Sequence, residues 1–460
     1  MFINLGLLHR LSLRQRLTHQ FDLSAAVFFG LTYALINALP GYLQSVLGGS
    51  PWEVGILRIL QPGALLLSFY WAGFIRRQPK VPWIVWSYGT GALVLILVSF
   101  NPTVTSVLVG AGVFFMVVTT TAPALNSLYK ENYPDRLRFQ LLANMRFIWA
   151  CSIAASGYMM GWYIGEGDGT VQRLSHVMVV ASIGALGGIA FYSRIRLKSD
   201  GMLKRQRLHK AQASELSAPS AAGGTRAIQA INELTLARFI SGFEKLRTDA
   251  LFRRFMIAYF LFGCAAQMFN PVFDVYVRDV LHATNKQIAL IYTVIPFLFT
   301  ALTLRACAVL LDGMDPIAGR TLFTLLWLVT PLLTLASCFA GSWAMPLIYI
   351  SRIANGIAFA GSTLLWTLSA TYFARDSHEA AQYMGVHASL TGLRGVLAPT
   401  LGVACLELLG ASFAALFGLA SILMAISAYM TWKLWREDHS ERLGGRGRVG
   451  PSGPAPASAA

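Results

Sequence analysis

Apolar runs long enough to cross a bilayer recur from one end of this chain to the other, and that feature removes most soluble architectures. Each run holds on the order of 18 or more predominantly apolar residues, which as a helix spans about 30 Å of hydrocarbon. A helix also satisfies each backbone N–H and C=O inside its own segment, as lipid requires. The runs do not alternate apolar with polar residues, which argues against a barrel. Of 460 residues, 55% are hydrophobic and 13% charged, too little charge to cover a soluble surface. The pattern predicts helices over 23–43, 53–75, 81–99, 103–125, 140–164 and 175–195, then over 255–277, 286–311, 317–338, 345–371, 381–404 and 410–433. Trp52, Trp83, Trp86, Trp343, Trp432 and Trp435 fall near these ends, where amphipathic rings settle.

The net charge of +16 does not call for nucleic acid. Most Lys and Arg residues lie before the first run, in every second gap, in a central stretch and in the tail, the bias expected of cytoplasmic segments. It puts both termini in the cytoplasm, with a bacterial-type inner membrane as the expected location. Arg10, Arg14 and Arg16 precede the first run and no A-x-A-like cleavage site follows it, so that run reads as a retained helix. Cys151, Cys264, Cys307, Cys338 and Cys405 lie in or beside apolar runs without a CxxC pair; they read as small core hydrophobes rather than a disulfide or metal set. No cofactor is expected.

The expected organisation is an all-α integral membrane protein of about twelve transmembrane helices in two pseudo-symmetric six-helix bundles. Residues 1–22 form a cytoplasmic N-terminal segment, 23–195 the first bundle and 255–436 the second. Between them, 196–254 is a cytoplasmic linker. Its Ala213–Gly224 part is Ala-, Ser- and Gly-rich and reads as flexible. Ile228, Ile231, Leu236, Phe239, Ile240, Phe243 and Leu246 then predict an amphipathic helix over about 228–247 lying on the membrane face. Residues 437–460, rich in Gly, Pro, Ala and Arg, read as a disordered tail. The halves echo each other: Phe29-Gly30 and Asn37 match Phe262-Gly263 and Asn270 at one offset, while Ser127 and Gln140 match Ser369 and Gln382 at a nearly equal one.

Ionisable and polar side chains inside the runs carry the chemistry, because a charge at mid-bilayer costs about 2.5–3.5 kcal/mol on insertion scales. Arg394 lies near mid-depth of the eleventh helix and shares a face with His387 and Thr391, flanked by Gly392 and Gly395. This set reads either as a site for an anionic or polar substrate with a titratable neighbour or as an interhelical hydrogen-bond cluster. In the seventh helix Gly263, Gln267, Asn270 and Asp274 form a stripe that suits a water-filled cavity. Arg352 of the tenth could reach Asp274 as an outer gate or coupling pair. The first helix adds Tyr33 and Asn37 beside Gly30 and Gly41. Arg58 is expected to pair with Glu53, and Arg146 and Arg305 to snorkel. Gly157 and Gly161, four apart, mark a face where backbones can approach closely. No phosphate loop and no H-E-x-x-H occurs, so no catalytic constellation is in view.

Several of these features resemble the major facilitator superfamily. They are the two six-helix halves with a long basic connection, Val46-Leu47-Gly48 before Glu53-Val54-Gly55, Ala308-x-Leu310-x-Asp312 after the eighth helix, and Arg352-x-x-Asn355-Gly356 in the tenth. After the second helix Gly73-x-Ile75-x-Arg77 keeps the motif's glycine but carries Arg77 in place of its acid. The resemblance implies a secondary active transporter or facilitator, not an enzyme, moving a small solute by alternating access. It implies a substrate lining from Tyr33, Asn37, Gln267, Asn270, Arg352, His387, Thr391 and Arg394, with Asp274, Asp312 and His387 in coupling or gating. The scarcity of mid-depth acids leans toward an anionic or zwitterionic substrate. Its partners are the solute, the lipid bilayer and, where transport is coupled, a proton or ion; a monomer is expected. The rival reading is a non-transporting membrane receptor or scaffold that uses segment 228–247 to dock a partner.

Overall fold

Among the described residues, twelve long helices follow one another: α1 (Leu13–Ser45), α2 (Pro51–Leu66), α3 (Lys80–Ser99), α4 (Val104–Asn132), α5 (Arg138–Ile164), α6 (Thr170–Tyr192), α7 (Ala250–Val280), α8 (Asn285–Asp312), α9 (Pro316–Ser337), α10 (Ala344–Thr371), α11 (Ser377–Glu407) and α12 (Phe413–Leu443). The computed structural model describes residues 11–66, 78–134, 137–202, 243–373 and 377–443. By length and composition, nine of these helices could cross a membrane unaided. The other three, α2, α5 and α10, pack along them. The Gly73–Arg77 motif, Arg375, the Ala213–Gly224 stretch, residues 228–242 and the tail beyond Leu443 lie outside the described residues; 243–248 are helical.

Two helices run past their expected ends. α1 starts at Leu13 rather than 23, because Ser12 and Gln15 close a reciprocal capping box over its first turn. α12 continues to Leu443, so the segment from 437 begins as helix: the Asp438 carboxylate accepts from Tyr372 (2.9 Å), and Glu437 pairs with Arg254 (2.6 Å). At the start of α7, Asp249 caps the helix by accepting from Leu251 and Phe252 N–H.

The packing repeats with a period of six helices. In the first half α1 packs on α5 and α6, α3 on α4 and α6, and α2 on α4. In the second half α7 packs on α11 and α12, α9 on α10 and α12, and α8 on α10. The main contacts between the halves, α2 with α11 and α5 with α8, exchange under the same pseudo-two-fold. Small residues permit these approaches: a Cβ on Gly157 would strike the Thr293 side chain and one on Gly161 the Ala289 side chain, across α5–α8. Gly55, Gly392 and Gly395 serve α2–α11 in the same way, against Val403, Leu66 and Pro62. In lipid such close packing replaces the hydrophobic drive available in water. Both α7 and α8 wind into π turns near their shared loop, at Tyr276–Val280 and Leu290–Val294, a local irregularity often found beside functional groups.

Candidate functional site

The Tyr259 ring of α7 is the centre of a basic cluster about 14 Å along that helix at 1.5 Å per residue. Three side chains from two other helices converge on it. The Arg394 guanidinium lies 4.2 Å from the ring centroid, the Arg320 guanidinium 4.3 Å, and the His387 ring 4.5 Å. Arg320 also sits 4.4 Å from the Phe262 ring, and the Trp366 ring meets His387 at 5.5 Å. All three basic residues are buried, His387 completely. Gly263 makes room for this: a Cβ there would overlap the Arg394 guanidinium.

Charge balance is the physical problem this cluster poses. Arg394 Nη1 donates to the Tyr259 carbonyl at 2.5 Å, but its Nε, Arg320 Nη2 and both ring nitrogens of His387 have no hydrogen-bond partner. Among the described residues no carboxylate pairs with either guanidinium. Cation–π contacts return about 0.5–2 kcal/mol each. Burying an ion costs several kcal/mol even after relaxation. The ring contacts therefore leave two cations under-compensated, and an anion would complete the site.

A second set of polar groups joins the halves on the face opposite the termini. Asp274 of α7, its side chain fully buried, receives both Arg58 Nε (2.7 Å) and Nη2 (2.8 Å) from α2, the bidentate geometry that suits guanidinium and carboxylate. Gln44 of α1 donates to Asp279 (2.9 Å) and Ser45 to Asn285 (2.7 Å). Asn285 in turn donates from its backbone to Glu166 (2.5 Å) and from its side chain to the Gly165 carbonyl (2.7 Å). Gly165 ends α5 at φ +56, a left-handed turn that glycine adopts without strain. Each of these bonds ties a residue of the first half to one of the second, so the bundle is clasped at the face opposite the termini.

The geometry revises two expected pairings. Asp274 is held by Arg58 rather than Arg352, because α2 supplies the nearer guanidinium. Arg352 lies over the Phe273 ring (4.2 Å) and donates to Ser351 (3.3 Å). Glu53 does not take Arg58; it accepts from Ser50 N–H (2.7 Å) and hydroxyl (2.8 Å) at the start of α2. The remaining expected residues are spread out. Thr391 bonds back to the His387 carbonyl (2.8 Å), Asn270 to Gln267 (3.4 Å) and Asn37 to the Tyr33 carbonyl (2.7 Å). The Tyr33 ring meets Trp149 (5.4 Å), which meets Phe297 of the other half (5.5 Å). Asp312 stands exposed at the end of α8. Arg320 and Tyr259 were not anticipated. Tyr259 extends the Gly263 stripe by one turn and was legible there, whereas Arg320 counts with its loop until α9 is seen to bury it.

Residues 255–458 match the family model described as Major Facilitator Superfamily. No curated relative matches the sequence. Solved structures share the architecture across nearly the whole chain. A point mutant of the nucleoside transporter NupG is 11% identical, covering 91% of this chain and 99% of its own, with a TM-score of 0.66. A POT family transporter in complex with 5-aminolevulinic acid is 13% identical (91% and 95%, TM-score 0.65). The xylose transporter XylE from E. coli, in a partially occluded inward open conformation, is 13% identical (92% and 98%, TM-score 0.62). At such identities the likeness is one of fold. The second half of the chain thus matches the Major Facilitator Superfamily model in sequence, and the whole chain shares the fold of these solved transporters.

Proposed function

We propose that this protein is a secondary transporter that moves a small anionic or zwitterionic solute by alternating access, with Arg320, Arg394 and His387 around Tyr259 receiving the negative group. The observation that carries the reading is the pair of buried guanidiniums, Arg320 and Arg394, with no carboxylate paired to either among the described residues. In this reading the clasp of Arg58–Asp274, Gln44–Asp279 and Ser45–Asn285 closes one face while the solute exchanges at the other. The charge bias of the loops makes the clasped face the outer one and puts both termini inside. Asn37, Tyr33, Gln267, Asn270 and Thr391 then supply polar contacts along the path. Arg352, over the Phe273 ring beside the clasp, is a further cation along the path.

The relatives of known structure supply probes. Purified protein is heated with 5-aminolevulinic acid, a dipeptide, a nucleoside, xylose and inorganic phosphate, since ligands that bind only the folded state raise its apparent stability. Stabilisation by a probe bearing a carboxylate or phosphate, lost in Arg394→Ala with insertion and yield unchanged, is the expected result. Stabilisation by neutral probes alone, unaffected by Arg394→Ala, would remove the anion from the reading.

A further inference from the structure

The clasp holds more positive charge than its one carboxylate answers. Arg58 takes Asp274 with two hydrogen bonds, yet a second guanidinium stands beside them. Arg352 of α10 is 6% exposed, lies 4.2 Å from the Phe273 ring and 5.8 Å from that of Phe269, and its Nε is buried without a hydrogen-bond partner. Its Nη2 donates to the Ser351 hydroxyl, a neutral acceptor. The charged side chains acting on it through space are Asp274, which attracts it, and Arg58, which repels it. Tyr292, in the π turn of α8, completes the surroundings. Arg58 lies 5.8 Å from its ring centroid and the ring meets Phe273 at 6.0 Å. Its hydroxyl stands near Asp274, buried and likewise unbonded.

The position of this excess charge gives it a consequence. Asp274, Tyr292 and Arg352 belong to the second half, whereas Arg58 comes from the first. A Cβ on Gly41 of α1 would meet the Tyr292 ring at 3.3 Å, so the first half also covers the phenol. Closing the clasp therefore brings Arg58 up to Arg352, and the resulting repulsion is relieved by negative charge only in that conformation. We propose that a small monovalent inorganic anion, of the halide class, binds here by accepting from Arg352 Nε and the Tyr292 hydroxyl, and that it favours the clasped conformation. Two guanidiniums against one carboxylate leave one positive charge, which sets the valence. The Phe269, Phe273 and Tyr292 rings supply no donors beyond that hydroxyl, so a strongly hydrated ion such as sulfate or phosphate loses more water than the site replaces. A guanidinium, itself weakly hydrated, suits a weakly hydrated partner. The side chain of Arg58, 23% exposed, marks the way in from the rim. This site is distinct from the basic cluster: Tyr259 and Phe273 are about 21 Å apart along α7 at 1.5 Å per residue. It does not rest on the solute reading.

The test exchanges chloride for gluconate at constant ionic strength, with the full chain in lipid nanodiscs. With the native cysteines replaced and one cysteine placed at Asn285, chloride should slow alkylation severalfold and raise the midpoint of thermal unfolding, as a ligand of the folded state does. Both responses should vanish in Arg352→Gln and persist in Arg394→Ala. Arg352→Lys, which keeps the charge, should retain a weaker response, and this separates loss of the anion site from a folding defect. In crystals of the unaltered protein grown in bromide, an anomalous peak should lie within hydrogen-bond reach of Arg352 Nε. Alkylation equal in chloride and gluconate, a chloride response that survives Arg352→Gln, or a bromide crystal without a peak at Arg352 would overturn the proposal. Failure of every solute probe alongside a chloride response that requires Arg352 would instead count against the transporter reading and leave the anion site standing.

Discussion

Gly263 carries a hydrogen atom where any other residue would carry a Cβ, and the basic cluster depends on that difference. The guanidinium of Arg394 occupies the space a Cβ would take, so Gly263→Ala forces either the arginine or α7 to move. Overpacking of this kind costs about 1–3 kcal/mol. The expected outcome is a lower midpoint in thermal unfolding of the purified protein together with loss of any anion-induced stabilisation. The equivalent place in the first half has the same geometry with different chemistry: Gly30 lies against Ser152, whose hydroxyl donates to the Val27 carbonyl at 2.5 Å. The two halves thus share a glycine contact and differ in what fills it, and the arginine gives the second half its charge. Arg320→Ala removes one of the two under-compensated cations. It should therefore weaken anion binding while leaving the thermal midpoint unchanged or higher, because an uncompensated buried charge is a cost to the fold. Titration calorimetry and unfolding curves of the same preparation would read both effects.

Between helices, the clasp combines one strong pair with close backbone packing. Removing one partner of a buried ion pair costs about 3–5 kcal/mol, since the other is left uncompensated. Asp274→Ala should therefore open the clasped face, increasing alkylation of a cysteine placed at Asn285. Exchanging the charges, Arg58→Asp with Asp274→Arg, should restore part of the protection. The α5–α8 contact makes the same prediction through sterics. Gly161 faces the Ala289 side chain, and Gly161→Leu should wedge the two helices apart and raise the same alkylation. An unchanged rate in both variants would show that the clasp is not what closes this face.

For the whole molecule, the six-helix periodicity of the packing allows the halves to move as bodies about the α2–α11 and α5–α8 seams. Ser45 and Asn285 bond directly from one half to the other. Ser45→Cys with Asn285→Cys, oxidised to a disulfide, should hold the clasped face shut and stop transport in reconstituted vesicles, and reduction should restore it. Transport that persists when cross-linked would rule out movement at this face.

Membrane residence, helix number and the duplication were legible in the chain, because lipid imposes length and apolarity on each segment separately and a repeat shows itself in linear order. The small-residue faces at Gly157 and Gly161 were legible for the same reason, as was the placing of Arg394, His387 and Asp274 inside helices, where all three are buried. The identity of their partners was not. Arg58 reaches Asp274 from more than two hundred positions away, and Glu53, its neighbour in sequence, is used to cap its own helix instead. Arg320 counts with a loop in the linear sequence, and only the closing of the second bundle buries it. Such pairings are set by which faces of distant helices come into contact, a consequence of packing six helices together that no single segment encodes.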